Sequence, residues 1–457
     1  MLFIHQTDQK ETIAALATPP GMGGIAIVRV SGSKAVASVG NLIQNSLEQQ
    51  PSHLATLKTL YDPHGERLDQ ALLLVMRAPR SFTGEDVVEI HCHGGHLIAK
   101  RILSALFQKG IRPAEPGEFS LRAFLNRKID LAQAEAIQDL ISARNEEALK
   151  VAREHLDGRL SNHILLLQKR ATSLCALFEA WVDFPEDDLE FCSFEEAIAD
   201  VSSLVDDIQH LIDTFAGGKI LQEGLSLCII GAPNVGKSSL MNALLGKDRA
   251  IVSSIAGTTR DLVEDDLMLN GLHCKIVDTA GIRTTEEQIE YEGVRRSKQA
   301  VEHSDIVLAV ADATRPNEKE MLAPIEEIQK KKSILIWNKI DIGNTPLPDL
   351  SRPYTVSVSA KTGEGLDSLA KMIESSVWQN NTHPRGELMI TSLRHKQALE
   401  KAKEALLQVI EGLKLTLSPE FISLEMRDVL TALGSIIGTD ITEDVLDSIF
   451  SRFCIGK

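Results

Sequence analysis

The sequence predicts a multidomain α/β protein that contains a doubly wound P-loop sheet. The chain has 457 residues, too many for one hydrophobic core, and this length corresponds to about three domains. The segment LSLCIIGAPNVGKSSLMNALLG joins a short apolar strand to a glycine-rich loop and a helix pattern. Helical periodicity dominates from Ile129 to about Leu221, and it returns beyond Ala398.

The composition is that of a soluble globular protein, with 43% hydrophobic and 25% charged residues. No apolar run reaches the roughly 18 residues that span a bilayer, and the start MLFIHQTDQK lacks the apolar core of a signal peptide. We therefore expect a cytoplasmic protein with no membrane partner. The formal net charge of −16 argues against binding nucleic acid with the whole molecular surface. A local basic groove, or a nucleic acid held by a partner, remains open.

Three patterns suggest chemistry that the surrounding sequence does not support. The six cysteines lie far apart without a C-x-x-C pair, which favours reduced thiols over disulfides or zinc. The glycines of PPGMGG resemble a dinucleotide fingerprint, but the β-like IAIVRV follows them instead of a helix. His91 and His93 share a strand face with His96 nearby, yet no further ligand completes a convincing metal set.

The phosphate-binding loop is the strongest signal. Gly231 to Ser238 form G-x-x-x-x-G-K-S between a strand and a helix, so backbone N–H groups and the helix N-terminus can surround phosphate oxygens. Lys237 is expected to reach the β- and γ-phosphates, and the Ser238 hydroxyl to bind Mg²⁺. The predicted nucleotide contacts of this loop are Asn234, Val235, Gly236, Lys237, Ser238 and Ser239.

Two further motifs predict that the base is guanine. The strand SILIWNKID delivers Asn338, Lys339, Ile340 and Asp341 to the carboxyl edge of the sheet, where doubly wound folds bind ligands. A carboxylate at Asp341 can accept both donors of guanine, which adenine lacks. A second clamp on the base is predicted after the next strand, at Ser359, Ala360 and Lys361.

The remaining motifs predict the sensors of Mg²⁺ and of the γ-phosphate. VDTAG supplies Asp278, Thr279, Ala280 and Gly281 at a strand end. GTTRD carries Thr259, a candidate Mg²⁺ ligand in the triphosphate state. The predicted contacts of this segment are Ser253, Ser254, Ile255, Ala256, Gly257, Thr258 and Thr259. Five motifs in the correct order predict that GTP is the substrate.

Many small GTPases place a water-orienting glutamine after DTAG, but this chain has Ile282. An apolar side chain cannot orient water, so that task falls to another group. We expect most of the carboxylates in the next segment to belong to a solvated helix face and one to be catalytic: Glu286, Glu287, Glu290 and Glu292. Asn234 is either a ligand for a monovalent cation or a turn-stabilising asparagine.

The whole chain resembles the MnmE (TrmE) family of tRNA-modification GTPases. PPGxGG, FTGED, PGEFSxRAFLNxKxDLAQAEA, NVGKSS, GTTRD, DTAG, NKID, SAK and CIGK occur in the family's order. The resemblance implies an N-terminal α+β domain that binds folate and dimerises, and a Ras-like P-loop GTPase domain inserted into a discontinuous all-α domain. The implied boundaries are 1–126 for the N-terminal domain, 127–222 and 381–457 for the helical domain, and 223–380 for the GTPase domain.

The resemblance also implies a metal and catalytic set for GTP hydrolysis. Mg²⁺ falls to Ser238 and Thr259. K⁺ would be bound by Asn234, the carbonyls of Ser253 and Ile255, and Thr258, and would replace an arginine finger. The carboxylate that positions the attacking water through a second water matches Glu290. GTPase domains of the family approach each other across a homodimer on activation.

For the folate, a 5-formyl-tetrahydrofolate-type cofactor, the matching positions are Arg29, Glu89 and Lys128, with Lys457 from the tail. A guanidinium and an ammonium suit the glutamate end of a folate, and a carboxylate suits the pterin N–H groups. Without the resemblance, each would be interpreted as an ordinary surface charge. Met22 departs from the arginine common in relatives, which puts a binding role for that side chain in doubt.

The family works with a flavoprotein, MnmG, in a heterotetramer. The resemblance implies that this partner supplies FAD and binds tRNA, and that the complex installs a carboxymethylaminomethyl or aminomethyl group on carbon 5 of the wobble uridine. The alternatives are a ribosome-assembly GTPase, which would typically carry a basic RNA-binding module, and a GTP-regulated scaffold. The segment after Pro384 has no Lys/Arg run, which disfavours the first alternative.

The chain ends in RFCIGK, which does not match a prenylation signal because Gly456 and Lys457 occupy the last two positions. Disulfide and zinc roles for Cys454 lack partners in the sequence. By resemblance, the tail reaches the folate site, with Lys457 as a ligand and Cys454 required for modification but not for GTP hydrolysis. The thiol is a nucleophile, a proton donor or a positioning group.

Overall fold

The computed structural model describes residues 11–43, 46–183, 193–247, 264–278, 300–316, 332–343, 354–378 and 388–457. The chain divides into two compact units. Unit 1 contains residues 1–141, 152–206 and 397–457, and unit 2 contains residues 142–151 and 207–396. The chain therefore passes between the units more than once. Among the described residues, no helix combines the length and apolarity required to cross a membrane.

Unit 1 begins with a sheet of six strands among the described residues, in the order β3-β4-β5-β2-β1-β6. Its strands are β1 (Ile13–Leu16), β2 (Ile25–Ser31), β3 (Ala55–Tyr61), β4 (Arg67–Met76), β5 (Val87–His93) and β6 (Arg112–Pro113). All described pairs are antiparallel except β1 with β6. Three helices accompany them: α1 (Ala35–Gly40), α2 (His96–Phe107) and α3 (Glu118–Leu125).

Strand β2 shows how the sequence creates the two faces of this sheet. Val28 and Val30 are fully buried in the core beneath the sheet, whereas Arg29 between them points to the other face. The strand follows the PPGMGG loop directly, so the structure confirms that no helix follows those glycines. A glycine loop that leads into a strand offers no helix N-terminus to a pyrophosphate.

Four helices follow: α4 (Leu131–Ser142), α5 (Glu146–Leu156), α6 (Arg159–Asp183) and α7 (Phe194–Glu223). Their length and the apolar repeat confirm the predicted helical periodicity of this region. The sequence FPEDD, between α6 and α7, lies outside the described residues.

Unit 2 contains the second sheet, with six described strands in the order β12-β11-β10-β7-β9-β8. They are β7 (Leu225–Ile230), β8 (Glu264–Leu269), β9 (Leu272–Asp278), β10 (Ile306–Asp312), β11 (Ser333–Asn338) and β12 (Thr355–Ser357). Among these described strands, only the β8–β9 pair is antiparallel. The helices α8 (Lys237–Lys247) and α9 (Leu366–Trp378) belong to the same unit.

Both faces of this sheet are buried, which is the pattern of a doubly wound fold. Leu227 and Ile229 belong to one apolar cluster, and the alternate residues Cys228 and Ile230 belong to another. Because successive side chains of a strand point to opposite faces, the two clusters lie on opposite sides of the sheet. The carboxyl ends of β7, β10 and β11 meet at one edge, where the nucleotide motifs begin.

The chain ends with α10 (Leu393–Lys414), α11 (Pro419–Ile437) and α12 (Glu443–Phe450). The predicted stripe of α10 is buried at Ala398, Ala402, Ala405, Leu406, Val409 and Leu413, while Ile410 is only half-buried. Helix α11 packs on α6, where the Gln168 amide donates to the Leu430 carbonyl at 3.4 Å. Phe450 and Phe453 pack against Leu131, so the C-terminal helix is anchored on the first helices of the same unit.

Candidate functional site

The phosphate loop leaves β7 and needs two glycines for steric reasons. Gly231 has φ +154°, and a Cβ there would lie 2.2 Å from the Val310 carbonyl oxygen. Gly236 has φ +96°, and a Cβ there would lie 2.3 Å from Nδ2 of Asn338. Both positions combine a backbone conformation that favours glycine with a neighbour that leaves no room for a side chain. The loop is therefore pressed against β10 and the NKID segment.

Lys237 lies above this loop. Its Nζ donates to the carbonyls of Gly231 and Ala232, each at 2.9 Å. Ser238 and Ser239 are exposed in the first turn of α8, where the helix dipole gives a partial positive charge. A phosphate held by the loop N–H groups therefore meets an ammonium, a helix N-terminus and two hydroxyls.

Asn338 ties three motifs together. Its side chain is 1% exposed, its Nδ2 donates to the Val235 carbonyl at 2.9 Å, and its Oδ1 accepts the Ala360 N–H at 3.0 Å. The amide thus joins NKID to the phosphate loop on one side and to SAK on the other. Both ends of the side chain are satisfied in the interior, so Asn338 holds the three motifs in fixed positions relative to one another.

The residues predicted to bind guanine lie next to this amide. The Ser359 hydroxyl donates to Oδ1 of Asp341 at 2.8 Å and accepts the Thr362 N–H at 3.1 Å. Asp341 is exposed, and its orientation is fixed by this bond, so its carboxylate can accept the paired donors of guanine. Lys361 is exposed beside it, and Ile340 is half-buried with its N–H bonded to the Val358 carbonyl at 3.3 Å.

Asp312 is a site residue that sequence reasoning missed. It ends β10, and its Oδ2 lies 2.6 Å from Nζ of Lys339, which also donates to the Asn234 carbonyl at 2.8 Å. Burial raises the pKa of Asp312, but hydrogen bonds from Lys339 and Thr314 outweigh it, and the net pKa lies below the ordinary value of 3.8. The signal was present in the sequence: a single carboxylate ends the apolar strand IVLAVA at the carboxyl edge.

Several predicted contacts lie outside the described residues: Ser253, Ser254, Ile255, Ala256, Gly257, Thr258, Thr259, Thr279, Ala280, Gly281 and Glu290. Asp278 is described through its backbone, as the last residue of β9. It pairs in register with Ile229 of β7, two residues before Gly231. The structure therefore places the start of the DTAG motif beside the phosphate loop.

A second cluster forms in unit 1 around Arg29. Its Nε lies 2.9 Å from Oε1 of Glu89, and its Nη1 donates to the Gly456 carbonyl at 3.2 Å. The guanidinium carbon lies 5.7 Å from the ring centroids of both Phe82 and Phe119. Arg29 is therefore paired, flanked by aromatic rings and bonded to the C-terminal tail.

The tail is held by backbone contacts as well. The Gly117 N–H donates to the Cys454 carbonyl at 3.4 Å, and the Lys457 N–H donates to the same oxygen at 3.3 Å. Burial lowers the pKa of Lys457; the nearby Cys454 raises it and the charge of Arg29 lowers it further, so the net pKa lies below the usual range. Cys454 is exposed at this site.

Of the four folate candidates, the structure brings Arg29, Glu89 and the segment of Lys457 together. Lys128 is engaged elsewhere: its Nζ donates to the Pro79 carbonyl at 3.0 Å. Oε2 of Glu89 also lies 3.3 Å from Nε2 of His91. The described part of the chain contains no group of three His, Cys, Asp or Glu side chains arranged to hold a metal.

The fold and this site define a P-loop GTPase: a doubly wound sheet, a glycine-rich phosphate loop and a guanine pocket at one edge. Two family models match the chain, the MnmE helical domain over residues 131–454 and the GTP-binding protein TrmE N-terminus over residues 12–128. The chain belongs to the MnmE family of tRNA modification GTPases. It is a GTP hydrolase that takes part in tRNA modification, with GTP as substrate and Mg²⁺ as the accompanying ion.

The relatives are similar over their whole length. The tRNA modification GTPase MnmE of Protochlamydia amoebophila is 50% identical over 100% of this chain and 100% of its own. That of Chlamydia caviae is 44% identical over 98% of this chain and 100% of its own. Among solved structures, the G domain of the T. maritima FeoB iron transporter is 28% identical over 33% of this chain and 98% of its own, with a TM-score of 0.26.

Proposed function

We propose that this chain is a potassium-dependent GTPase that works with the FAD-containing flavoprotein MnmG on the wobble uridine of certain tRNAs. The group added to carbon 5 is carboxymethylaminomethyl or aminomethyl, and the one-carbon unit comes from a 5-formyl-tetrahydrofolate-type cofactor. One observation carries the proposal: a chain whose Ser359 hydroxyl orients Asp341 as a guanine acceptor also holds its own C-terminal thiol segment against the Arg29–Glu89 pair. A ribosome-assembly switch or a GTP-regulated scaffold has no use for that second cluster.

The GTPase part of the proposal assigns roles residue by residue. Lys237 and the loop N–H groups bind the β- and γ-phosphates, Asp341 and Ser359 bind guanine, and Ser238 with Thr259 holds Mg²⁺. Potassium would take Asn234, the Ser253 and Ile255 carbonyls, and Thr258, and would supply positive charge near the β/γ bridge. Asn234 lies in the loop with an exposed side chain, and Lys339 holds its backbone carbonyl at 2.8 Å. This arrangement suits a side-chain amide oxygen that coordinates a cation.

In the same proposal, Glu290 positions the attacking water. Ile282 offers no polar group for this task, so a carboxylate elsewhere in the segment is required. Val235 would contact the nucleotide through its backbone, because its side chain is fully buried and packs in the core.

The unit 1 cluster fits a folate by its donor set. Arg29 carries five N–H donors and Glu89 two acceptor oxygens, and the contacts described above do not exhaust them. A guanidinium and the Lys457 ammonium suit the glutamate carboxylates of a folate, while Glu89 suits pterin N–H groups. Lys128 belongs to the proposed set and would have to exchange the Pro79 carbonyl for the ligand.

We further propose the assembly and the domain boundaries. The chain forms a homodimer and a heterotetramer with the flavoprotein, which holds the tRNA. The division into 1–126, 127–222, 223–380 and 381–457 is supported by the two sheets, which lie within 13–113 and 225–357. A cytoplasmic location belongs to the same proposal, because its tRNA substrate is there.

The proposal is tested first by GTP turnover of the full chain in K⁺ and in Na⁺. We expect much faster turnover in K⁺, because the smaller sodium ion fits a potassium ligand cage poorly. Glu290→Ala is expected to abolish turnover with nucleotide affinity retained, and Glu292→Ala is the matched control. Equal rates in both ions would remove the cation site, and a parallel loss of affinity in Glu290→Ala would make Glu290 structural.

A further inference from the structure

Two neighbouring loops of unit 1 carry exposed cations. Arg80 lies in the loop between β4 and β5, and Arg127 and Lys128 follow the end of α3. All three residues are exposed. Among the described residues, no carboxylate forms an ion pair with any of the three. We call these three residues the basic rim.

Other arginines around the same sheet are paired. Four of them form an ion pair with a described carboxylate: Arg29, Arg101, Arg112 and Arg122. The whole chain is acidic, with a formal net charge of −16. Unpaired cations that lie together in such a chain produce a local positive potential, which attracts an anionic ligand.

One carboxylate adjoins the basic rim. Oδ1 of Asp86 accepts the Ala78 N–H at 2.9 Å, in the same loop as Arg80. This bond ties the carboxylate to the backbone of its own loop. The rim therefore keeps three positive charges against one negative charge.

Two side-chain bonds join the loops of the basic rim to each other. Nζ of Lys128 donates to the Pro79 carbonyl at 3.0 Å. Nδ2 of Asn126 donates to the Thr83 carbonyl at 2.7 Å. The backbones that carry the two arginines are thus fixed relative to each other. A surface arranged in this way loses less conformational entropy when it binds a ligand.

The basic rim lies beside the cluster around Arg29. Phe82 follows Arg80 by two residues, and the centroid of its ring lies 5.7 Å from the guanidinium carbon of Arg29. The ring of Phe82 is half-buried at this position. A nucleotide held at the Arg29 cluster would therefore have its neighbouring phosphates within reach of the rim.

The chemistry of the basic rim fits the sugar–phosphate backbone of a single RNA strand. Guanidiniums bind phosphate oxygens through two parallel hydrogen bonds. Phosphates recur along the strand, so separate exposed cations can each take one without forming a closed pocket. Phe82, between the rim and the cluster, offers an aromatic ring on which an unpaired base can stack.

We propose that the basic rim binds the RNA backbone beside the nucleotide that is modified, so that this chain itself contacts the tRNA. The inference rests on the proposed function, because it takes the Arg29 cluster as the place of modification. Arg80 and Arg127 supply the phosphate contacts. Lys128 belongs to the proposed folate set as well, and here it fixes the two loops to each other. The flavoprotein still holds the body of the tRNA.

The test is the binding of a fluorescein-labelled anticodon stem–loop RNA to the full chain, measured by fluorescence anisotropy over a series of KCl concentrations. Each phosphate contact on a single strand contributes about 0.7 to the slope of log affinity against log salt. We expect Arg80→Gln combined with Arg127→Gln to reduce that slope by about 1.4, and each single variant by about 0.7. From about 50 mM to about 200 mM KCl, the wild type then loses about sevenfold more affinity than the double variant.

The matched control is Arg67→Gln combined with Lys100→Gln, which removes the same net charge from exposed positions of the same unit. Arg67 begins β4, whereas the rim loop follows the end of that strand, about 30 Å away. Lys100 lies on α2, which follows the far end of β5. We expect the control to keep the wild-type slope, and both double variants to keep the wild-type melting temperature and GTP turnover.

A wild-type slope in the Arg80 and Arg127 double variant would overturn the proposal. An equal reduction in the control would overturn it as well, because the effect would then follow net charge. So would a wild-type chain that shows no salt-dependent binding of the RNA.

Titration with 5-formyl-tetrahydrofolate separates this inference from the proposed function. We expect the Arg80 and Arg127 double variant to bind the folate as the wild type does. A loss of folate affinity with RNA binding retained would assign the rim to the glutamate end of the folate and overturn the proposal. A wild type that binds the RNA through the rim but binds no folate would support the rim and remove the folate from the proposed function.

Discussion

At the scale of single residues, the predicted nucleotide pocket is held together by side chains that bond to one another's segments. The Asn338 amide donates to the Val235 carbonyl and accepts the Ala360 N–H. The Lys339 ammonium donates to the Asn234 carbonyl and to the Asp312 carboxylate. The NKID motif was predicted from the donor pattern of guanine. The sequence could not show that Asn338 and Lys339 also brace the phosphate loop, because their partners in that loop, Val235 and Asn234, lie 103 and 105 residues away.

The close approach of Gly236 to Asn338 gives the first prediction. Gly236→Ala is expected to displace Asn338 and to weaken GDP binding by at least about tenfold, or about 1.4 kcal/mol. Gly246→Ala is the control, since nothing lies within 4 Å of that position in α8. Alanine there is expected to stabilise the helix by up to about 1 kcal/mol. Calorimetric titration with GDP measures the first effect, and wild-type affinity in Gly236→Ala would refute it.

Asp312 gives a prediction about acid stability. Its pKa is lower in the folded protein than the ordinary 3.8, so its carboxylate stabilises the fold above the unfolded pKa. That stability is lost as the pH falls through the folded pKa. We expect the free energy of unfolding of the wild type to fall in this acid window and that of Asp312→Asn to fall less. Asp213→Asn, at an exposed position of α7, is expected to follow the wild type.

The free energy of unfolding is measured by chemical denaturation at each pH. If it falls as steeply with acid in Asp312→Asn as in the wild type, the contact with Lys339 does not lower the pKa of Asp312. The comparison needs the same buffer series for all three proteins, because the surface carboxylates titrate in the same range.

At the scale of elements, the sequence predicts what is local. The strand–loop–helix of β7 and α8, the strand nature of IAIVRV and the buried stripe of α10 follow from periodicity and glycine placement, and the structure confirms them. Ile410 was predicted to be buried but is half-buried. The width of the buried face of a helix depends on the element that packs against it, and periodicity does not identify that element.

The contacts of the C-terminal tail, in contrast, could not be predicted from local sequence patterns. Arg29 and Gly456 are separated by 427 positions and still share a hydrogen bond. The resemblance placed the tail at the folate site, but residue patterns alone could not, since no local signal records such a contact. The pair of the buried Arg122 with Glu85, 37 positions away, was missed for the same reason, although its i,i+4 partner Glu118 is a local signal.

Gly456 gives the prediction that belongs to this element. A Cβ there would lie 2.2 Å from the Leu16 carbonyl oxygen, at φ +94°. We expect Gly456→Ala to displace the tail from Arg29, and to reduce tRNA modification without changing GTP turnover. Gly65→Ala is the control, since Gly65 has φ +86° with nothing within 4 Å. Both variants carry backbone strain of about 1–2 kcal/mol, but only one carries the clash.

Full modification by Gly456→Ala, measured on tRNA nucleosides, would mean that the tail position is not required. A loss of modification shared by both variants would assign the effect to strain and not to the tail.

At the scale of the whole molecule, the chain combines a guanine pocket in one unit with a thiol-bearing tail in the other. The P-loop sheet and the use of GTP could be predicted from the sequence, because motifs in a fixed order define them. The exchange of segments between units could not, since residues 142–151 carry helical periodicity like their neighbours and yet cluster with unit 2. The bonds of Arg144 to Asp266 at 2.7 Å and of Asn145 to the Leu221 carbonyl at 3.0 Å agree with that assignment.

We propose that GTP hydrolysis by unit 2 serves chemistry on tRNA at the Arg29–Glu89 cluster of unit 1. It is tested most directly by nucleoside mass spectrometry of tRNA from a strain that lacks this protein, complemented with the wild type or with Cys454→Ser. We predict that the wobble modification disappears in the deletion strain and returns with the wild type. Cys454→Ser is predicted to hydrolyse GTP normally and to leave the modification absent. Unaltered wobble uridines in the deletion strain would contradict the account.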